Sequence, residues 1–144
     1  MDHVAIMRKA WGFTEKIVSG EKIIESRWYK AKYSPWGKIM SGDEIYFKNS
    51  GQAIFLKTGV KKVIAFENLN PNKVWAILDQ YGKDIGILEI EMPKYFEMFK
   101  DKKYCLLIFL EKVQRIDPFD INKKGFGNMA SWICVEDVEK IRKT

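Results

Sequence analysis

The chain is poor in the residues on which metal and acyl-transfer sites are built. Its single histidine, His3, has no second histidine with which to hold zinc, and it would have to serve as the base of any Ser-His-Asp arrangement. The two cysteines, Cys105 and Cys134, lie far apart and show no metal-ligand spacing. Cys105 sits in an apolar run, as a small core residue does, and no disulfide is expected of an intracellular chain. No metal and no cofactor is therefore expected. The sequence also lacks an apolar run near the ~20 residues that a membrane helix needs; the longest, Cys105 to Leu110, has the length of a strand. Met1-Asp2-His3 opens with an acid, and Arg8 and Lys9 break the apolar stretch behind it, which is not a signal-peptide pattern. Internal repeats, low-complexity segments and linkers are missing as well. These absences point to a soluble cytoplasmic protein, expected to be a monomer.

What is present is enough for a core. Of 144 residues, 47% are hydrophobic, which suits one domain spanning residues 1–144. The net charge of +6 permits a polyanionic partner without demanding one.

Periodicity gives short strands interrupted by helices, an α+β pattern. Strands are predicted at His3 to Met7, Ile23 to Tyr29, Glu44 to Lys48, Ala53 to Leu56, Val60 to Phe66 and Tyr104 to Val113. Thr58-Gly59 reads as a turn between two of them. Helices are predicted at Ala10 to Ser19, at Asn72 to Tyr81 behind an Asn70-Pro71 start and ended by Gly82, at Pro93 to Lys100, and in the tail from Val135 to Lys143. Lys30 to Lys38 reads as a loop around Pro35 and Gly37, and Gly125-Phe126-Gly127-Asn128 as another, without the spacing of a phosphate loop. Trp132 reads as a core plug.

The densest polar signal is Gly20-Glu21-Lys22-Ile23-Ile24-Glu25-Ser26-Arg27. Gly20 suits the left-handed stop of the preceding helix. In the strand that follows, Glu25 and Arg27 share one face and Ile24, Ser26 and Trp28 the other. A carboxylate and a guanidinium on one face, with Lys22 just before them, form either an ion-pair cluster or a prepared site. Arginine suits bidentate recognition of phosphate or a base edge, and lysine supplies a compact charge. Trp28, Tyr29, Tyr33 and Trp36 alternate with Lys30, Lys32 and Lys38, a composition suited to stacking unpaired bases and neutralising phosphates. Lys48, Asn49 and Ser50 close a strand at a turn where a lysine and backbone amides can meet an anion.

The order Gly20, Lys22, Glu25, Arg27 resembles the G-x-K-x-x-E-x-R signature of the ASCH family (activating signal cointegrator homology). The resemblance extends through Trp28-Tyr29, Pro35-Trp36-Gly37-Lys38 and Gly42-Asp43-Glu44-Ile45-Tyr46-Phe47-Lys48, and covers most of the chain. It implies a small PUA-like β-barrel of about five to six strands, surrounding helices, a cleft beside the motif, and RNA or a nucleotide-like molecule as ligand. The expected contacts are Lys22, Glu25, Arg27, Trp28, Lys30, Lys32, Trp36, Lys38, Lys48, Asn49 and Ser50. Two alternatives stand beside that reading. One is a small hydrolase acting on an acetylcytidine-type nucleoside or on RNA, with Lys22 and Glu25 as its catalytic candidates. In the amidohydrolase branch that Lys22 would match, the nucleophilic threonine falls at Glu25, so the covalent mechanism does not transfer. The other is a protein-interaction module of the coactivator type, with a protein as partner and an exposed apolar patch away from the motif.

Overall fold

A computed structural model describes residues 1–127 and 130–143. Six strands, β1 (Asp2–Met7), β2 (Ile24–Tyr29), β3 (Glu44–Asn49), β4 (Ile54–Phe66), β5 (Tyr104–Phe119) and β6 (Trp132–Val135), form one sheet in the order β2-β5-β4-β3-β1-β6. The β1–β3 pair is parallel and the other pairs are antiparallel. Helices α1 (Phe13–Ser19), α2 (Pro71–Ile85) and α3 (Met92–Phe99) accompany it. The expected α+β class and strand number are observed.

The curl of the sheet comes from its two long strands. The β4–β5 ladder shifts register between Ile54 and Leu56, between Lys57 and Gly59, and between Val60 and Lys62. Each extra residue bends its strand and adds twist. Thr58-Gly59 is therefore not the predicted turn. Ile54, Leu56, Thr58 and Val60 are buried in strict alternation, and this period-two burial outweighs the local turn chemistry. The last strand before the C-terminal region likewise runs past Val113 to Phe119, turning through Lys112 at φ 52°.

The helices also correct the prediction in detail. Gly12, at φ 67°, separates a 3-10 turn (Lys9–Trp11) from α1, so the helix starts at Phe13 rather than Ala10. Asn70 caps α2 as expected, its Oδ1 accepting from the Lys73 amide at 2.8 Å. Gly82 does not end that helix. It lies inside it because an added Cβ would stand 2.9 Å from Met92 Sδ, so a glycine lets α2 lie close against α3. The helix stops instead at Gly86, φ 98°. The tail is not helical from Val135: Val135 ends β6, which pairs with β1, and only a 3-10 turn (Val138–Ile141) follows. Of the predicted 125–128 loop, Gly125 and Phe126 lie in a turn, Gly127 follows it, and Asn128 lies outside the described residues.

Two apolar clusters hold the sheet. The larger lies within the curl and under the helices, around Ala5, Phe47, Leu56, Leu107, Ile17 and Leu78. The smaller lies on the outer face, where Val4, Ile54, Phe119, Ile121, Ile133 and Val138 meet. Cys105 is a buried free thiol of the larger cluster, and burial raises its pKa well above the ordinary range. No helix among the described residues is long and apolar enough to cross a membrane.

The curled sheet has two free edges, β2 and β6, and a side chain spans them. Arg27 on β2 reaches Ser131 O at 3.4 Å and Met7 Sδ at 3.2 Å, and its guanidinium lies 4.9 Å from the centre of the Trp132 ring. Gly86 bears on this seam from behind, since its added Cβ would stand 3.2 Å from Lys22 Cβ. Gly86→Ala is expected to lower stability by about 1–2 kcal/mol for the left-handed backbone plus the cost of that contact. Gly20→Ala, at φ 86° with open space around it, carries the backbone cost alone. Urea midpoints of the two variants should rank in that order.

Candidate functional site

Gly20 ends α1 at φ 86°, and the chain turns directly into the ion cluster. Lys22 is 1% exposed, with its ammonium beneath the sheet edge. Its Nζ donates to Ile24 O at 2.7 Å and Ile85 O at 2.7 Å and meets Glu25 Oε1 at 3.1 Å. The Phe13 ring lies 4.6 Å from the same nitrogen. Three acceptors match the three protons of an ammonium. Glu25, 2% exposed, turns its other oxygen to Arg27 Nη2 at 3.0 Å. Burial lowers the Lys22 pKa, and the Glu25 charge opposes that shift. Burial also pushes the Glu25 carboxyl up, but Lys22 and Arg27 outweigh it and hold it below the ordinary range.

This geometry limits the chemistry. Every Lys22 proton is committed and both Glu25 oxygens are engaged, so neither presents a free acid or base. Arg27 differs. Its Nη2 is held by Glu25 and Met7, and its Nε is buried without a partner among the described residues. Nη1 makes only the 3.4 Å contact to Ser131, and is the donor left open at the border of a cavity of about 320 Å³.

That cavity lies along the free edge of β2, so both faces of the strand border it. Glu25, Arg27, Ser26 and Trp28 all line it. Tyr29 O accepts from Lys103 N and Ile23 O from Leu110 N, so the odd-numbered residues bond toward β5. The even-numbered residues Ser26 and Trp28 therefore turn their backbone N–H and C=O groups to the cavity side. The opposite wall is aromatic: Trp11, Phe13, Tyr95 and Phe99 line it, with Trp11 edge-on to Tyr95 at 5.9 Å and Phe99 stacked on Trp28 at 4.7 Å and 5°. Arg8 and Lys102 add charge at the border. Arg8, Trp11, Tyr95, Phe99 and Lys102 carry no motif; the only sequence signal was the aromatic content of the predicted 93–100 helix.

The other expected contacts lie elsewhere. Lys32 pairs with Glu67 at 3.0 Å, and Trp36 packs against Tyr104 at 5.3 Å. Lys38 donates to Ser34 at 3.2 Å, and Lys30 is exposed. These residues form a loop anchored by its aromatics, outside the cavity lining. Asn49 accepts from Thr14 at 3.1 Å and donates to Gln52 at 3.1 Å, so its amide is consumed in fastening α1 and the turn. Ser50 donates its backbone N–H to Met7 O at 2.8 Å, and Lys48 lies on the outer face of the sheet. Among the described residues no group of His, Cys, Asp and Glu gathers that could hold a metal. Apolar side chains away from the motif are exposed at Leu88 and Ile90, beside the start of α3.

His3, unremarkable in the sequence, is fully buried beneath this site. Trp132 Nε1 donates to its Nδ1 at 3.0 Å, which places the imidazole proton on Nε2, facing Asp43 Oδ2 at 2.9 Å. Burial lowers the His3 pKa against the raising effect of Asp43. The indole that binds His3 also lies under Arg27, so the base of the barrel and the cavity share one packed column.

The curled six-stranded sheet and its helices make an α+β fold of the PUA-like barrel kind. The sequence matches no protein-family model and no curated protein. Among solved structures, ASCH from Zymomonas mobilis superposes with a TM-score of 0.66 at 18% identity, over 96% of this chain and 90% of that one. A point variant of the same protein gives 0.67 at 18% identity, over 96% and 93%. The hypothetical protein PH0355 matches at 0.52 and 23% identity, over 81% of this chain and 100% of that one. The fold is that of an ASCH domain.

Removing Lys22 alone leaves Glu25 buried with half its partners. Lys22→Met is expected to cost about 3–5 kcal/mol. Lys22→Met combined with Glu25→Gln should cost less than the sum of the two single changes, as measured by a double-mutant cycle in urea.

Acid should act in two windows. Neutral His3 resists protonation in the folded state, so stability falls as pH drops below the ordinary histidine value of 6.5. Glu25 stabilises above the ordinary 4.5, and its contribution is lost as pH falls through its lower folded value. In urea titrations across pH, Glu25→Gln should flatten the lower window and leave the upper one intact.

Proposed function

We propose that the cavity along β2 binds single-stranded RNA or a nucleotide-like ligand. The observation that carries this reading is the Arg27 guanidinium, pinned by Glu25 yet with Nη1 open, facing a wall of aromatic rings. Aromatic faces stack bases of any identity, and a fixed guanidinium donates to phosphate or a base edge. The backbone N–H and C=O groups that Ser26 and Trp28 turn to the cavity add a donor and an acceptor of the kind that reads a base edge. Charge agrees: Arg8, Arg27 and Lys102 face one carboxylate, which Lys22 already balances from behind. The volume of about 320 Å³ stands at the low end of the roughly 300–1,000 Å³ typical of ligand pockets, the scale of one nucleotide unit rather than a duplex. The ASCH-domain fold favours the same ligand class by analogy alone. Hydrolysis by Lys22 and Glu25 is the weaker reading, because their protons and lone pairs are spent on each other and on the backbone.

The reading is tested by titrating the protein with short single-stranded RNA at two salt concentrations. Arg27→Lys keeps the charge but loses the planar guanidinium that Glu25 orients, and should weaken binding by about tenfold, or about 1.4 kcal/mol. Trp11→Ala, away from the seam, should weaken it through lost stacking. RNA affinity equal to wild type in both variants, with melting temperatures unchanged, would overturn the assignment.

A further inference from the structure

Lys48 is 8% exposed on the outer face of the sheet, yet its ammonium has no hydrogen bond or ion pair with any described residue. A lysine so placed is costly unless something anionic meets it. Its surroundings are cationic. Asn122 N bonds Ile141 O at 2.7 Å and Lys143 N bonds Asp120 O at 2.8 Å, which fastens the two C-terminal segments together above the outer apolar cluster. Lys48 is the register partner of Ile54 and Ile54 that of Phe119, so the segment that leaves β5 through Asp120 and Lys123 starts two strands from Lys48, with Lys143 fastened to Asp120. Burial and the two neighbouring lysines lower the Lys48 pKa, as expected where like charges are gathered without enough counter-charge.

The cluster adjoins the cavity. Ile6 lines the cavity, and Ile6 is the register partner of Lys48 in the parallel β1–β3 ladder. Register partners on neighbouring strands point to the same face about 5 Å apart. The lysines thus begin one strand away from the cavity wall.

We propose that Lys48, Lys123 and Lys143 form a second, phosphate-contacting subsite for the backbone of a nucleic-acid strand whose neighbouring nucleotide occupies the cavity. The inference rests on the nucleotide reading of that cavity and narrows it: the ligand is an oligonucleotide rather than a free nucleotide. Continuity with the cavity favours a nucleic-acid strand over a lipid surface, since an extended backbone can engage both places at once.

The test compares wild type with Lys48→Met and with Lys123→Gln/Lys143→Gln. The probe is a labelled single-stranded RNA of roughly ten nucleotides, with a nucleoside monophosphate as competitor. The salt slope of log K for the RNA should become shallower by about 0.7 for each lysine removed. Competition by the monophosphate should not change. Lys48→Met should melt no lower than wild type, because it removes a buried charge without a partner among the described residues rather than a structural contact. Unchanged RNA affinity and slope in both variants, with Arg27→Lys still impaired, would overturn the subsite and leave the cavity reading standing. RNA slopes unchanged while Lys48→Met loses binding to phosphatidylserine vesicles would overturn it in favour of a membrane surface. A wild-type protein that binds neither RNA nor monophosphate would overturn both readings.

Discussion

The buried contact from Lys22 through Glu25 to Arg27 is the constraint on which the rest of the structure turns. A sheet that curls without closing leaves two edges, and here the edges are joined by a guanidinium rather than by a backbone ladder. That guanidinium is held by Glu25, and Glu25 is held by a lysine sunk between two carbonyls. Ion pairs this deep rarely add much net stability, because desolvation offsets their attraction. Their effect here is geometric. They fix one Arg27 orientation and, through Ile85 O, tie the end of α2 to the start of β2.

The fold follows from how this seam is assembled. Gly86 turns the chain at the end of α2 and leaves room for the Lys22 stem. Phe13 on α1 covers the ammonium from another side. Three elements distant in sequence therefore converge on one nitrogen. On the far side, Trp132 lies under Arg27 and binds His3, whose other nitrogen faces Asp43. The Gly42-Asp43 turn, the N-terminal strand and β6 are thus tied to the same guanidinium.

The sequence made part of this legible, for physical reasons. The helix stop at Gly20, the strand behind it and the shared face of Glu25 and Arg27 depend on local backbone rules, and all are observed. The capped start of α2 is local in the same sense. What failed was non-local. Thr58-Gly59 has turn chemistry, but pairing with β5 keeps it in a strand. Val135 sits in a helix-like spacing, but the edge of β1 recruits it. Gly82 looks like a stop until Met92 is seen against it. The site divides along the same line. The motif named Glu25, Arg27 and Trp28, whereas Arg8, Trp11, Tyr95 and Phe99 reach the cavity only through tertiary folding. The aromatic and basic loop from Lys30 to Lys38 lies outside the cavity lining, and Trp36 packs against Tyr104 to anchor it.

An unfinished barrel also explains why a cavity lies here at all. A closed ladder between β2 and β6 would satisfy the edge amides and carbonyls and fill the seam. Closure by a side chain leaves Ser26 and Trp28 turning backbone groups to the cavity, beside a cation that Glu25 holds in place. The ion triad thereby separates two requirements that usually conflict. The lysine and carboxylate supply rigidity from the dry side, and the arginine keeps Nη1 on the wet side. That division accounts for a motif in which the most deeply buried member, Lys22, touches no part of the cavity and yet governs its shape.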